Sequence, residues 1–138
     1  MTSKRTHKVF VNLPVRDLPR AMDFFRKLGF EFNPKFTDEK AACMVLSEEG
    51  YVMLLREEFF KTLTRRPVGD YAARTSAIVA FSVDSREAVD EAAAKAAAAG
   101  ATPAMDPQDH GFMYLKSFHD LDGHHWEVFW MDPAAAQG

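Results

Sequence analysis

The chain has little of what marks several well-defined classes of protein. It has one cysteine in 138 residues, Cys43, so no intramolecular disulfide can form and a reducing cytoplasm is the expected location. No apolar run approaches the roughly 20 residues that a membrane-spanning helix needs, so no membrane partner is expected. Lys and Arg are scattered and the net charge is -3, which argues against a nucleic-acid-binding face.

The chain also lacks a glycine-rich phosphate loop between a strand and a helix. Because each half has only one predicted helix and its strands are short, a parallel nucleotide-binding sheet is not expected either. What the sequence does contain is 47% hydrophobic residues, with 12 Phe and 7 Met. Side chains of these kinds fill a core, and they also line pockets for organic ligands.

The first half reads as a strand, a helix and three strands. Asp17 is a typical helix N-cap, Pro19 suits the first helical turn, and Gly29 is placed to end the helix. Alternating and β-branched residues predict the strands, and a turn at residues 48–50 predicts a hairpin. The predicted strands cover residues 9–15, 30–33, 41–47 and 51–56.

The second half repeats this order. An alanine-rich helix is predicted at residues 86–99, after Asp84 and Ser85 and before Gly100. Strands are predicted at 76–83, 101–105, 112–118 and 124–131, with a loop at 106–111. The repeat predicts two modules that complete one core together.

Three segments carry a resemblance to a known family. They are residues 10–18 (Phe-Val-Asn-Leu-Pro-Val-Arg-Asp-Leu), residues 24–31, and residues 120–127 (Asp-Leu-Asp-Gly-His-His-Trp-Glu). Together they resemble the vicinal oxygen chelate superfamily, which includes glyoxalase, bleomycin-resistance and extradiol-dioxygenase proteins. The resemblance implies an α+β fold of two βαβββ modules with a concave cavity, and it implies homodimers. We place module one at 9–57, a connector at 58–75, module two at 76–131, and tails at 1–8 and 132–138.

The resemblance also gives four places to metal ligands, on the first and last strands of each module. Glu127 matches the last place, but the places of the two first-strand histidines hold Phe10 and Ile78. Phe and Ile cannot coordinate a divalent cation, and one carboxylate alone binds one weakly. No cofactor is therefore expected. A displaced metal set of His125, Glu127 and either His110 or His119 is the alternative.

Strand alternation places His125, Glu127 and Phe129 on one side of the last strand, which by the resemblance faces the cavity. We interpret Glu127 as a general base, or else as a structural carboxylate bound to an Arg or to Asn12. Asn12 either orients a ligand or satisfies backbone groups. The predicted ligand cavity comprises Phe10, Asn12, Met53, Ile78, His125 and Phe129.

Other polar residues have simpler interpretations. His119 and His124 flank a turn, where solvation or backbone capping is expected. Asp120 and Asp122 come before a glycine, a setting in which Asp bonds its own backbone. Cys43 lies in the middle of a predicted strand and is interpreted as a buried, inert thiol.

These observations predict a small cytoplasmic protein that holds an organic ligand in an apolar, aromatic cavity, with Glu127 leading any metal-independent catalysis. Two alternatives stay open. One is a non-enzymatic binder that sequesters a drug-like or aromatic compound, for which an acidic aromatic groove is suited. The other is a metal-dependent lyase or dioxygenase with displaced ligands.

Overall fold

The computed structural model describes residues 7–136, which contain two β-sheets and four α-helices. The chain divides into two compact units, the first ending at Val68 and the second beginning at Gly69. Among the described residues, no helix is both long and apolar enough to cross a bilayer. The first unit comprises β1 (Val9–Val15), α1 (Leu18–Lys27), β2 (Glu31–Asn33), β3 (Ala41–Val45), β4 (Gly50–Arg56) and α2 (Glu57–Phe60), with 3-10 turns at Pro34–Phe36 and Lys61–Leu63.

The second unit follows the same order with one extra strand pairing. It comprises β5 (Ile78–Ser82), α3 (Arg86–Ala98), β6 (Thr102–Pro103), β7 (Gln108–Asp109), β8 (Met113–His119), β9 (His125–Met131) and α4 (Pro133–Ala136). The loop predicted at 106–111 therefore contains a short strand, because residues 108 and 109 pair with β8. The strand predicted at 101–105 is reduced to the two residues of β6, and α4 forms within the predicted tail.

The two sheets share one topology. The strand order is β1-β4-β3-β2 in the first and β5-β9-β8-β6 in the second, with β7 pairing β8. In each unit the first strand runs parallel to the last, and the remaining pairs are antiparallel. The repeated βαβββ plan predicted from the sequence is thus confirmed. Pro14 lies in β1, an edge strand, where its missing N–H removes no hydrogen bond from the sheet interior.

Helix α1 forms where the sequence predicts it because its ends are capped locally. The Asp17 carboxylate accepts a hydrogen bond from the Arg20 amide at 3.1 Å. Gly29 has a φ of 100°, a conformation that glycine adopts without a steric cost. The helix packs on β3 and β4 and buries four of its residues there, Leu18, Ala21, Phe24 and Phe25. Leu28 follows the last helical turn and is half-buried.

Helix α3 covers one face of the second sheet in the same way. The Ser85 hydroxyl accepts from the Ala88 amide at 3.1 Å, and Gly100 follows the helix with a φ of 110°. The helix contacts β8 and β9 and buries Val89 and Ala96. In both units the side chains of alternate strand residues point to the face that the first helix of the unit does not cover. We call these the helix-free faces.

Candidate functional site

The helix-free face of the second sheet carries the residues singled out on the last strand. Glu127 lies opposite Ala80 of β5 and Ser117 of β8, and His125 lies opposite Ile78 and His119. Directly opposite residues share a face, so the predicted alternation along β9 is observed. Phe129, opposite Ser82 and Leu115, extends the same face. On the other side of β9, Trp126 and Val128 are fully buried.

Glu127 is half-buried between two small neighbours, Ala80 and Ser117. Within residues 7–136 its carboxylate makes no hydrogen bond and no ion pair, so the alternative of a structural carboxylate bound to an arginine or to Asn12 is wrong for the described part of the chain. The Asn12 amide instead donates to the Phe10 carbonyl at 3.4 Å. The Ser117 hydroxyl accepts from the Met105 amide at 3.1 Å.

His125, two residues before Glu127, is the second notable group on this face. Its Nε2 atom is buried and lacks a hydrogen-bond partner among the described residues. The ring meets His119 edge-on, with ring centroids 5.3 Å apart. Burial lowers the pKa of His125, the charge of His119 lowers it further, and Glu127 opposes both. The imidazole is therefore a neutral hydrogen-bonding group at pH 7 rather than a cation.

The helix-free face of the first sheet is apolar and aromatic. The ring of Phe10 stacks on that of Tyr51 in the neighbouring strand, with centroids 4.7 Å apart and an angle of 12° between planes. Asn12 lies opposite Met53 on the same face. Phe10 keeps 49% of its surface exposed, which is unusual for a large aromatic residue and leaves it available to a ligand.

The strand register identifies the residue of the first unit that corresponds to Glu127. In the second unit, Glu127 pairs with Ala80, which comes two residues after Ile78. In the first unit, Met53 pairs with Asn12, which comes two residues after Phe10. Met53 therefore corresponds to Glu127. The four places given to metal ligands by the family resemblance therefore hold Phe10, Met53, Ile78 and Glu127. Two are hydrocarbon and one is a soft thioether, so this donor set does not fit a hard divalent cation.

The displaced metal set has no better geometry. Within residues 7–136, no three His, Cys, Asp or Glu residues are grouped so that they could hold a metal ion. His110 is exposed, and its Nε2 atom is 3.3 Å from the Gln108 amide oxygen. His119 does lie beside His125 on the helix-free face. Glu127, His125 and His119 thus share a face, but within residues 7–136 these three side chains do not form a group that could hold a metal ion.

The turn before β9 is structural, as the sequence predicts for Asp120. One carboxylate oxygen, Oδ1, accepts from the Asp122 and His124 amides at 2.9 and 3.0 Å. The other, Oδ2, accepts from the indole N–H of Trp126 at 2.9 Å. Burial raises the pKa of Asp120, while His124 and the bond from Trp126 act in the opposite direction.

His119 and His124 flank the turn, as predicted: His119 is the last residue of β8, and β9 begins at His125. The half-buried ring of His124 stacks on that of Tyr71, with centroids 4.8 Å apart. Cys43 is 1% exposed in β3, and burial raises the pKa of its thiol. A buried thiol with a raised pKa is a poor nucleophile, which agrees with its interpretation as inert.

Comparison with known proteins identifies the family. The model of the Glyoxalase/Bleomycin resistance protein/Dioxygenase superfamily matches residues 8–128. The chain belongs to this superfamily. The match covers both βαβββ units, and it confirms the resemblance on which the expected fold was based.

Several solved structures have the same fold. A hypothetical protein from S. aureus is 24% identical, with 92% of this chain and 95% of that chain covered and a TM-score of 0.77. A glyoxalase/bleomycin resistance protein/dioxygenase family enzyme from Burkholderia phytofirmans is 20% identical, with coverages of 88% and 96% and a TM-score of 0.74. The fosfomycin resistance protein FosX from Listeria monocytogenes is 22% identical, with coverages of 94% and 92% and a TM-score of 0.63. A search of curated proteins gave no match.

Membership in the superfamily thus accounts for the fold, and the side chains distinguish this member. Sequence reasoning found Glu127, His125 and Phe129 on one face of the second sheet. It missed Ser117 and the position of His119, which the pairing of β8 with β9 brings opposite Glu127 and His125. The alternation along residues 113–119 is the signal that would have placed both on that face.

Proposed function

We propose that this protein binds small organic molecules on the helix-free faces of its two sheets, and that Glu127 acts as a general base, without a metal ion, on a molecule bound to the second face. The observation that supports this most is the state of Glu127, a half-buried carboxylate with no hydrogen bond or ion pair to another described residue. A carboxylate without a partner is free to accept a proton or a hydrogen bond from a ligand.

The lining of both faces suits an organic ligand. Phe10, Tyr51 and Met53 belong to the first face, and Ile78 and Phe129 belong to the second. Ile78 is 51% exposed, like Phe10, so each face offers apolar surface that a ligand can cover. Aromatic rings add shape selectivity, because they favour flat ligand groups.

The proposed chemistry is a proton transfer. Glu127 removes a proton from a ligand C–H group or from a water that attacks the ligand, and the protonated carboxyl later returns the proton to the product. His125 orients the ligand, since its buried Nε2 has no partner and a neutral imidazole nitrogen offers either an N–H or a lone pair. No step in this scheme uses a metal ion, because three of the four family ligand places cannot bind one.

A second candidate is a binder without turnover. The matching superfamily is named partly for bleomycin resistance, and FosX from Listeria monocytogenes is a fosfomycin resistance protein. In a binder, the negative charge of Glu127 would attract a cationic group of the ligand among aromatic side chains. The two candidates make opposite predictions for the same substitution.

We therefore expect Glu127→Gln to separate them. Wild-type protein is screened by thermal shift against small organic compounds that include fosfomycin and bleomycin, and each stabilising compound is followed by calorimetry and by mass spectrometry of the product. For a base, the variant keeps the affinity and loses turnover by about 100-fold or more. For a binder, the variant loses affinity and wild type gives no product.

The matched control is Glu49→Gln, which neutralises an exposed carboxylate in the turn before β4. It should behave as wild type in both measurements. If no compound stabilises wild type, or if Glu127→Gln binds and turns over each ligand as wild type does, the proposal is wrong.

A further inference from the structure

The first unit has a concave region away from its helix α1, formed by the loop between β2 and β3, the end of β4 and the segment that follows β4. Two hollows of about 250 and 460 Å³ share the side chains of Lys40 and Phe59. Arg56 and Thr62 line the smaller one, and Met53 lines the floor of the larger one. We call this region the Lys40 pocket. None of the residues used for Glu127 chemistry on the second sheet belongs to it.

The loop that forms one wall is held by its own side chains. The Asn33 side chain accepts from the Lys35 amide at 3.0 Å. The Thr37 hydroxyl donates to the Asn33 carbonyl at 2.7 Å and accepts from the Cys43 amide at 3.1 Å. One oxygen of Asp38 accepts from the amides of Lys40 and Ala41 at 2.8 and 3.0 Å. The wall is therefore preformed, so a ligand spends little energy in ordering it.

The charges around the pocket favour an anion. Among the described residues, neither Lys35 nor Lys40 has a carboxylate within ion-pair distance. The Asp38 carboxylate faces backbone amides of its own loop. Arg56 and Glu58 are 3.9 Å apart at their nearest charged atoms, and the Glu58 side chain is 86% exposed, so this pair is weak. The positively charged side chains that line the pocket therefore outnumber the carboxylates that line it.

The apolar groups around the pocket favour a flat ligand body. Phe36 keeps 64% of its surface exposed at the rim of the larger hollow, and Met53 and Ala41 line its interior. The Lys40 ammonium lies 5.9 Å from the centroid of the Phe59 ring. An acid group beside that ammonium would place an attached ring within reach of these apolar side chains.

We propose that the Lys40 pocket binds an aromatic organic acid, with the acid group on Lys40 and the ring over Phe36 and Met53. Sulfonate, carboxylate and phosphonate groups share this chemistry. The inference goes beyond the proposed function, because it assigns a separate ligand site, which shares Met53 with the helix-free face of the first sheet. It does not require Glu127 to act as a base.

The test uses two probes with the same ring system, anilinonaphthalene sulfonate and uncharged phenylnaphthylamine. Fluorescence titration of the full chain gives each affinity, and two-dimensional amide NMR locates the binding. We expect Lys40→Gln to weaken sulfonate binding by about tenfold and to leave phenylnaphthylamine binding unchanged. The shifted amides should lie in residues 35–41 and 56–62. The matched control, Lys27→Gln, removes an exposed ammonium that pairs with Asp23 and should change neither affinity.

Two more variants separate the possible failures. Phe36→Ala should weaken the binding of both probes, because it removes a contact with the ligand ring. Because Phe36 is exposed, the substitution should not unfold the protein. Glu127→Gln should leave sulfonate binding in the Lys40 pocket unchanged, whatever it does to turnover of other ligands. The proposal is overturned if Lys40→Gln binds the sulfonate as wild type does, if the sulfonate shifts amides elsewhere only, or if both probes bind equally.

Discussion

Glu127 and His125 lie two residues apart on β9, and their side chains therefore leave the strand on the same side. Neither the carboxylate of Glu127 nor the buried Nε2 of His125 has a hydrogen-bond partner in the described part of the chain. A buried polar atom without a partner lowers stability, and folded proteins retain few of them. A ligand that bonds to His125 Nε2 would remove this cost, so the atom that weakens the fold also favours binding.

The lowered pKa of His125 has a consequence for stability. Below the ordinary histidine value of 6.5, the unfolded chain takes up a proton that the folded chain still refuses, so stability falls as the pH falls toward the lower pKa of the folded state. His125→Leu removes this proton uptake and also the buried atom without a partner. We expect the variant to be at least as stable as wild type above pH 6.5, and to lose less stability below it.

Urea unfolding at a series of pH values on both sides of 6.5 measures this difference. The control is His110→Leu, since His110 is exposed and its removal should leave the pH dependence of wild type in place. Equal dependence on pH in wild type and His125→Leu would show that burial does not change the titration of this residue.

Asp120 shows how far residue-level prediction reaches. Its bonds to the Asp122 and His124 amides follow from a local rule about aspartate before a turn, so the sequence is enough to predict them. The hydrogen bond that it accepts from the Trp126 indole depends on the direction of β9 after the turn, which local sequence rules do not predict. The stacking of His124 on Tyr71 joins residues far apart in the sequence, so no local rule predicts it.

At the scale of elements, the ends of the two long helices were predicted more accurately than the ends of the strands. Local caps define both ends of α1 and α3, and those caps are visible as Asp17, Gly29, Ser85 and Gly100. Strand ends depend instead on the partner strand. Strands β6 and β7 each have two residues because that is the length over which they pair with β8.

The turn between β8 and β9 gives a prediction at this scale. Gly123 has a φ of 98°, and a Cβ atom there would lie 2.8 Å from the Tyr71 carbonyl oxygen. Gly111 has a φ of 79°, and a Cβ atom there would have nothing within 4 Å. We expect Gly111→Ala to cost about 1–2 kcal/mol from its backbone conformation alone. Gly123→Ala should cost a further ~1–3 kcal/mol, because backbone must move.

Urea denaturation of the two glycine variants and wild type gives the free energies of unfolding. Equal losses in the two variants would mean that residues 71 and 72 move aside at no cost. If Gly111→Ala has the same free energy of unfolding as wild type, the loop lets residue 111 leave the left-handed conformation at no cost.

For the whole molecule, the fold was predictable and the activity was not. A duplicated pattern of strands and helices spans the chain, and its match to a superfamily model depends on many residues together. Activity depends on a few side chains, and one fold supports many reactions. Here Phe10, Met53 and Ile78 stand at three places that the family resemblance gives to metal ligands, so the βαβββ plan alone does not determine the chemistry.

We therefore expect the purified protein to carry no stoichiometric metal. Protein prepared without chelators should contain well below one zinc, iron, manganese or nickel ion per chain by plasma mass spectrometry, because a single carboxylate binds these ions weakly. Treatment with a chelator should leave its melting temperature unchanged. Stoichiometric metal that resists dialysis, and that Glu127→Gln removes, would contradict the predicted absence of a cofactor.

The exposed segment that contains Arg65 and Arg66 has a practical consequence. A trypsin cut there would leave every pairing of β1 to β4 in the amino-terminal fragment and every pairing of β5 to β9 in the other. Tyr71 would remain with its stacking partner His124. Each fragment would thus inherit an intact sheet and its helix, so one cut in this segment would interrupt no strand pairing of either unit.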